Sequence, residues 1–285
     1  MKKYLIILAG SPRGGMKTWK TLIEHVKKPL SADLAILCSD KWRGYEYLEK
    51  QAKFKWIFKE YKNYEEYYST NFSGSWEDYF NKGLDTGLKS SGMLHFVFKD
   101  MVKKKYLETV LNYDYIIYTR FDQYHVADHP IGIKDKILIP EGEDYFGICD
   151  RHALVPKKYI EEFLGICEYV NSKDALDVKD NFLNCEVTFK NHLLKENIYD
   201  QIKRTPRKQF TTSLKGEHTN WRVAKYKVYF TKKIMIKYPD EFLSSFHNLF
   251  SERNILFVLK NDFVMAVNYI FLKLRINLGK LINEK

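Results

Sequence analysis

The chain has 285 residues, of which 45% are hydrophobic and 29% charged, and its formal net charge is +11. This composition excludes an intrinsically disordered chain, and the length suits one large α/β domain or one domain with a terminal extension. The basic excess attracts anionic partners. Because no Arg-rich stripe or RNA-binding aromatic motif is present, phosphorylated ligands or an anionic membrane surface are favoured over nucleic acid.

The N-terminal part alternates strands and helices. Residues 5–9 form a continuous apolar strand, residues 18–26 have helical spacing, and residues 32–40 contain a second apolar strand. The apolar run at the N-terminus spans about six residues, too few for a signal peptide, so it predicts a buried first strand. A strand–helix–strand unit of this kind predicts a parallel sheet.

Residues 42–88 are rich in Tyr, Trp, Lys and Glu, and the segment 45–61 has helical periodicity. We interpret this region as solvated helices packed by aromatic stripes; the alternative is a mobile lid or an acceptor-binding region.

The chain has four cysteines: Cys38, Cys149, Cys167 and Cys185. None belongs to a CxxC pair, and each has apolar neighbours. This pattern predicts small buried side chains in a protein of the reducing cytosol.

The central part continues the α/β pattern. Residues 93–111 predict a long amphipathic helix, residues 115–119 a strand and residues 136–140 another short strand. Residues 141–164 predict a strand, a polar corner and a helix. A helix over 184–198 carries Glu186 in its first turn, and 199–226 has the character of strands and loops.

The tail, residues 255–282, is apolar with scattered charges. Its longest uncharged run, residues 263–272, is about half the ~20 residues that span a bilayer. Two interpretations stay open: a core-packing helix pair, or a basic amphipathic helix lying in a membrane interface. The second would use the cationic side chains Lys260, Lys273, Arg275 and Lys280.

The first strand runs into the Gly-rich loop "GSPRGGMKTW". Gly10–Gly15 matches the GxxxxG of an ATP-binding loop, but Lys17 and Thr18 come one residue late. A shift of one residue along a helix rotates a side chain by about 100°, so neither Lys17 nor Thr18 would reach the phosphates.

The stretch "RGGMKTW" also resembles the phosphosulfate loop of sulfotransferases with one residue added. A sulfotransferase using a 3′-phosphoadenosine sulfate donor is therefore the alternative function, although no downstream site for the 3′-phosphate is identifiable.

The strand "YIIYTRFD" ends in an acidic residue, as nucleotide-sugar transferases require for holding Mg²⁺ or Mn²⁺ against the diphosphate. The usual pattern is Asp-x-Asp. In this chain Arg120 stands in the first position and Asp122 in the second. An Arg there can neutralise diphosphate directly, so the metal requirement stays open.

Five motifs occur in a fixed order: "RGGMKTW", "YDYIIYTRFDQYHVADHP", "GEDYFGICDRH", "NCEVTFK" and "HTNWR". In order and wording they resemble a family of bacterial and large-virus GT-A-type glycosyltransferases of lipopolysaccharide or capsule-like glycan synthesis, over roughly residues 3–238. The resemblance implies a GT-A-like (Rossmann-like) α/β fold, with a mixed, mainly parallel sheet flanked by helices. It implies a nucleotide-sugar-binding and catalytic domain over 1–245; residues 246–285 would form an amphipathic helical extension.

The resemblance also implies an activity: a hexosyl- or pentosyltransferase that moves a sugar from a nucleotide-sugar to a glycan or lipid-linked acceptor. We expect the protein in the cytoplasm or at the cytoplasmic face of a membrane, where the basic surface and the tail, which lies outside the resemblance, would make a peripheral contact. Asp150 and Glu186 would be catalytic carboxylates, and Asp122 and His218 would hold Mn²⁺ or Mg²⁺. The residues expected to bind the nucleotide-sugar are Gly10, Arg13, Gly14, Ser39, Asp40, Arg120, Asp122, Arg151 and His152.

Structural roles are the alternatives for several of these residues. Asp150 could cap a helix, and Glu186 in a first turn could interact favourably with the helix dipole. Arg151 could form an ion pair, and His218 could be an ordinary loop histidine. A carboxylate base is needed only if the enzyme inverts configuration, and the sequence does not decide this. A non-catalytic glycan- or lipid-binding module is a further alternative.

Overall fold

The computed structural model describes residues 2–82, 93–178, 183–217, 226–227, 234–253 and 255–283. The strands of this part are β1 (Tyr4–Ala9), β2 (Asp33–Ser39), β3 (Phe54–Phe58), β4 (Tyr115–Thr119), β5 (Gln123–His125), β6 (Ile137–Pro140), β7 (Ala153–Pro156), β8 (Ile202–Thr205), β9 (Gln209–Leu214), β10 (Tyr226–Lys227) and β11 (Ile234–Ile236). The α-helices are α1 (Gly15–Leu22), α2 (Glu46–Glu49), α3 (Tyr64–Asn71), α4 (Trp76–Lys82), α5 (Met93–Val110), α6 (Ile160–Leu164), α7 (Ile166–Val170), α8 (Lys173–Leu176), α9 (Cys185–Lys195), α10 (Pro239–Glu252) and α11 (Ile255–Asn283).

The chain forms two compact units that are interleaved in sequence. The first consists of Met1–Ser11, Leu30–Arg120 and Pro130–Thr205, and the second of Pro12–Pro29, Phe121–His129 and Pro206–Lys285. The expected domain boundary between residues 245 and 246 falls inside α10, a helix of the second unit.

The first unit is built on a seven-stranded sheet in the order β3-β2-β1-β4-β7-β6-β8. Neighbouring strands are parallel from β3 to β4 and between β6 and β8, whereas β7 runs antiparallel to both of its neighbours. Every residue of β1 and β4 is buried, as expected for central strands covered on both faces. The expected α/β fold with a mixed, mainly parallel sheet flanked by helices is therefore confirmed.

Two predictions in this unit were wrong. The segment 45–61 is not a continuous helix: α2 covers four residues, and β3 follows as an edge strand. Burial alternates along β3, with Trp56 and Phe58 inside and Lys55 and Ile57 exposed. Pairing with β2, from Ala35 opposite Phe54 to Ser39 opposite Phe58, supplies the backbone hydrogen bonds that favour the extended chain over a helix. In residues 141–164 the polar corner also precedes the strand, β7, rather than following it.

The helices of the first unit share one apolar core with the sheet. Phe96 and Met101 of α5 belong to it, together with Leu5 and Ile7 of β1. The aromatic region contributes Tyr68 and Tyr79, both fully buried, so α3 and α4 are packed by aromatic side chains as predicted. Cys38, Cys149 and Cys167 are buried as expected, and Cys185 is half-buried.

The second unit contains a four-stranded antiparallel sheet in the order β10-β11-β9-β5. Its apolar core joins Tyr124 and Phe210 of the sheet to Phe242 and Phe246 of α10 and to the inner face of α11. Part of the tail therefore packs into a core, as one of the two interpretations expected. No helix in the described part of the chain is long and apolar enough to cross a membrane.

Candidate functional site

Three parallel strands of the first unit end at the same edge of its sheet. In the register of β1, Leu8 lies beside Ile36 of β2 on one side and beside Thr119 of β4 on the other. Gly10, Ser39 and Arg120, which follow or close these strands, therefore lie along one carboxyl edge. The chain passes from β1 outward to β2 and β3 and then returns to the other side of β1 as β4, so β1 and β4 form a topological switch point. Ligands of open α/β sheets bind in the crevice at such a point.

The "DRH" motif lies at this same edge because β7 is antiparallel to β4. Ala153, the first residue of β7, pairs with Tyr118 near the end of β4. Asp150, Arg151 and His152 precede β7 and therefore flank the end of β4. The ring of His152 is hydrogen-bonded through Nδ1 to Oγ1 of Thr119 at 2.9 Å, and both side chains are buried. The local role of His152 is thus to join the motif to the strand end.

Arg151 lies among three carboxylates in a largely buried cluster. One of its terminal nitrogens is 2.5 Å from Glu143 and 3.7 Å from Glu186, and its Nε is 3.9 Å from Asp150. One guanidinium therefore faces three acidic groups, two of which were predicted to be catalytic. Asp150 and Glu186 differ in access: the side chain of Glu186 is 14% exposed and that of Asp150 only 3%.

The start of α9 fixes Glu186 against the loop that carries Arg151. Asn184 caps the helix: its Oδ1 accepts a hydrogen bond from the Val187 amide at 2.8 Å. Its Nδ2 donates to the Tyr145 carbonyl at 2.8 Å, and the Ile148 amide donates to the Glu186 carbonyl at 3.1 Å. These backbone contacts bring Arg151 and Glu186 together, although they are far apart in sequence.

Gly147 makes this approach possible. A Cβ added at Gly147 would lie 2.0 Å from the carbonyl carbon and oxygen of Glu186, closer than any real contact. No side chain can therefore occupy position 147 while the loop stays against α9. Sequence reasoning quoted this glycine within a motif but assigned it no role.

A buried lysine contacts the backbone of this cluster. Lys99 of α5 is completely buried and donates a hydrogen bond to the Asp150 carbonyl at 3.1 Å. Its ammonium group lies 4.6 Å from the ring centroid of Tyr118, 5.0 Å from that of Phe189 and 5.8 Å from that of Phe163. Burial lowers the pKa of Lys99, and the charge of Asp150 opposes this effect. In the sequence this lysine resembles the polar residues of an amphipathic helix, so it was missed.

Ser39 and Asp40 are engaged in the turn after β2. Asp40 Oδ1 accepts hydrogen bonds from the Ser39 hydroxyl at 3.3 Å and from the Glu60 amide at 3.2 Å. The Lys41 amide donates to the Ser39 hydroxyl at 3.1 Å. These contacts join the ends of β2 and β3, so both residues have a structural role at the edge where nucleotide contacts were predicted.

The rest of the glycine loop belongs to the second unit, where Arg13 lies 3.4 Å from Asp122. Asp122 is almost fully buried, so its charge is balanced by this guanidinium. Gly14 has a φ of 94°, and a Cβ there would lie 3.2 Å from the Asp122 Cα, so the loop passes directly over this pair. The Gly14 amide donates to both carboxylate oxygens of Glu217 at 3.2 Å.

The two residues that argued against an ATP-binding loop are engaged elsewhere in the second unit. Lys17 is 3.5 Å from Asp262, and its ammonium group lies 5.8 Å from the ring centroid of Tyr124. The hydroxyls of Thr18 and Thr212 are hydrogen-bonded at 2.9 Å in the buried interior. Both side chains thus have partners within the second unit, in agreement with their position one residue late for a phosphate-binding loop.

The donor set of the expected metal site differs from the one predicted. Asp122 faces a guanidinium instead of a second carboxylate, and His218 lies outside the described residues, as does the rest of the "HTNWR" motif. Within the residues that the structure describes, no group of three His, Cys, Asp or Glu side chains could hold a metal ion. The described donors alone therefore do not form a site for Mn²⁺ or Mg²⁺.

Sequence reasoning also missed Glu143, Thr119 and Glu217. Glu143 lies in the "GEDYFGICDRH" motif, and only its contact with Arg151 identifies it as part of the site.

The sequence matches no protein-family model and no curated protein.

Proposed function

We propose that the chain is a GT-A-type glycosyltransferase that moves a hexosyl or pentosyl group from a nucleotide-sugar to a glycan or lipid-linked acceptor. One observation carries the proposal: Arg151 lies among Glu143, Asp150 and Glu186 at the carboxyl edge of a mixed, mainly parallel sheet. Charged residues gathered at the switch point of such a sheet are the usual mark of a ligand site. The motif order that resembles these transferases adds independent support.

The donor would bind across the ends of β1 and β4. Gly10 follows β1 with a φ of 113°, which lets the backbone turn sharply at the strand end, and Arg120 follows β4 with a largely buried guanidinium. A diphosphate at this point would receive charge-assisted hydrogen bonds from Arg120. Such bonds stabilise the nucleoside diphosphate as the sugar–oxygen bond breaks.

Glu186 is the better candidate for the general base. It is more accessible than Asp150, whose backbone carbonyl is held by Lys99. Its carboxylate lies 3.7 Å from the guanidinium of Arg151, and a carboxylate within reach of an acceptor hydroxyl can take its proton. In an inverting reaction the oxygen of the acceptor hydroxyl, having given its proton to Glu186, attacks the anomeric carbon as the nucleoside diphosphate leaves.

Two aromatic side chains on the same loop favour a glycan acceptor. Phe146 is 86% exposed and Tyr145 is 44% exposed, and both adopt left-handed backbone conformations, with φ of 71° and 41°. Such conformations are rare for bulky residues and concentrate at ligand sites. We assign the exposed ring of Phe146 to stacking against an acceptor sugar.

Ligand binding and transfer test the proposal separately. A thermal-shift screen of nucleoside diphosphates, with and without Mn²⁺, should find at least one that stabilises the protein. Stabilisation by adenosine 3′,5′-bisphosphate alone would favour the sulfotransferase instead. With the donor so identified, Glu186→Gln should lower the transfer rate at least about 100-fold and leave nucleotide binding unchanged.

Glu108→Gln is the matched control for that variant, because Glu108 is an exposed residue of α5 in the same unit. It should transfer sugar at the wild-type rate. Equal activity of Glu186→Gln and Glu108→Gln would exclude Glu186 as the base. A protein that binds no nucleoside diphosphate at all would overturn the proposed function.

A further inference from the structure

The last helix of the second unit bends at Asp262, which has φ of −147° and ψ of 70°. Beyond the bend, Asp262 acts as a cap: its Oδ1 accepts a hydrogen bond from the Met265 amide at 3.3 Å. The Tyr124 hydroxyl donates to Asp262, and Lys17 lies 3.5 Å from it. The segment from residue 263 onward is therefore anchored to the second unit in a defined orientation.

One face of this segment packs inward. Met265, Tyr269 and Leu272 are buried in the core of the second unit. The Tyr269 ring stacks on Phe246 and Phe250, with ring centroids 5.8 Å and 5.2 Å apart. Burial of this face determines which side chains the helix presents on its opposite side.

The opposite face is also apolar. Phe263 is 63% exposed, Ile270 36% and Leu274 52%. At 3.6 residues per turn, spacings of seven and eleven residues bring these side chains within about 20° of one line along the helix. Lys273 and Arg275, both exposed, lie at about 80° on one side and about 120° on the other. We call Phe263, Ile270 and Leu274 the outer stripe.

We propose that the outer stripe docks on an anionic lipid bilayer, with the helix lying in the plane of the interface. An exposed apolar stripe with cationic residues on both flanks has the form of an interfacial amphipathic helix. Lys273 and Arg275 would reach the headgroups on either side while the stripe enters the acyl boundary. The formal net charge of +11 adds attraction to an anionic surface.

Charge decides between a bilayer and a second copy of the chain. A symmetric pairing of two outer stripes would bring together two copies that each carry a formal net charge of +11 and therefore repel one another. An anionic surface has the complementary charge. The inference depends only on the second unit, and it stands or falls independently of the proposed transferase activity.

Vesicle co-sedimentation of the full chain tests the proposal. The wild type should bind vesicles containing phosphatidylglycerol and bind pure phosphatidylcholine vesicles much more weakly, and added salt should weaken binding. The combined variant Phe263→Ser, Ile270→Ser and Leu274→Ser should lose at least about tenfold in partitioning. Ile131→Ser, an equally polar change at an exposed residue of the first unit, should bind like the wild type.

Thermal unfolding of each variant verifies that it folds, and nucleotide binding reports separately on the first unit. The proposal would be overturned if the wild-type protein did not bind anionic vesicles. It would also be overturned if the triple variant bound them as strongly as the wild type. Light scattering, which measures the oligomeric state, tests whether a second copy of the chain covers the outer stripe instead. A wild-type dimer that becomes monomeric in the triple variant, without vesicle binding, would assign the outer stripe to self-association.

Discussion

Gly147→Ala is the sharpest test of the structure around Arg151. The added methyl group would lie 2.0 Å from the Glu186 carbonyl and 2.2 Å from the Val187 nitrogen. These are backbone atoms at the start of a capped helix, so they cannot rotate away as a side chain would. The loop must move by about 1 Å to reach even the closest tolerated contact, and the Ile148–Glu186 hydrogen bond would stretch or break.

The expected cost is the sum of overpacking and one lost backbone hydrogen bond, about 2–4 kcal/mol in the free energy of unfolding. Urea denaturation followed by circular dichroism measures it as a lower midpoint at an unchanged slope. The same displacement would separate Arg151 from Glu186, so the proposed transferase activity should fall even where the variant is fully folded.

Gly165→Ala is the matched control. Gly165 has an ordinary φ of −77°, and the nearest atom to an added Cβ is the ammonium nitrogen at the far end of the Lys103 side chain, at 3.2 Å. Both variants restrict the unfolded chain equally, so that contribution cancels in the comparison. Equal midpoints for Gly147→Ala and Gly165→Ala would refute the close packing of this loop on α9.

Two further predictions concern Lys99 and Phe146. Because burial lowers the pKa of Lys99, the unfolded chain binds this proton more tightly, and wild-type stability rises as pH increases toward 10.5. Lys99→Met lacks this contribution, so urea unfolding at pH 7 and pH 10 should show the wild type gaining stability relative to the variant; parallel changes would contradict the assignment. If the proposed function holds, Phe146→Ala should raise the KM for a glycan acceptor about tenfold while donor hydrolysis is unchanged, because the proposed stacking ring is lost. Ile133→Ala, at another exposed apolar residue of the first unit, is its control, and an unaltered KM in Phe146→Ala would remove that ring from the acceptor site.

Much of the first unit could be predicted from the sequence. The continuous apolar runs of β1, β2 and β4 mark central strands, and the bounds of β4 agree with the prediction residue for residue. Since parallel strands share a carboxyl edge, the residues after them could be expected at one edge from strand order alone. The first turn of α9 was also predicted correctly, with Glu186 in it.

Other features could not be predicted because their cause lies far away in the chain. The helical periodicity of residues 45–61 gives way to the hydrogen bonds that β2 offers to β3. Glu143 and Arg151 become a pair only when the loop folds back on α9. Asp122 was expected to hold a metal, and its partner is Arg13 from the beginning of the chain.

The class of fold, the central strands and the chemical character of the residues at their ends can be predicted from the sequence. These features depend on local hydrophobic runs and on strand polarity, which a linear pattern records. Three features become apparent only in the folded chain: Lys99 is buried beneath the Arg151 cluster, position 147 admits no side chain, and the tail helix has a second apolar face. Each of these depends on which surfaces are buried against each other, a property that emerges only when distant segments pack.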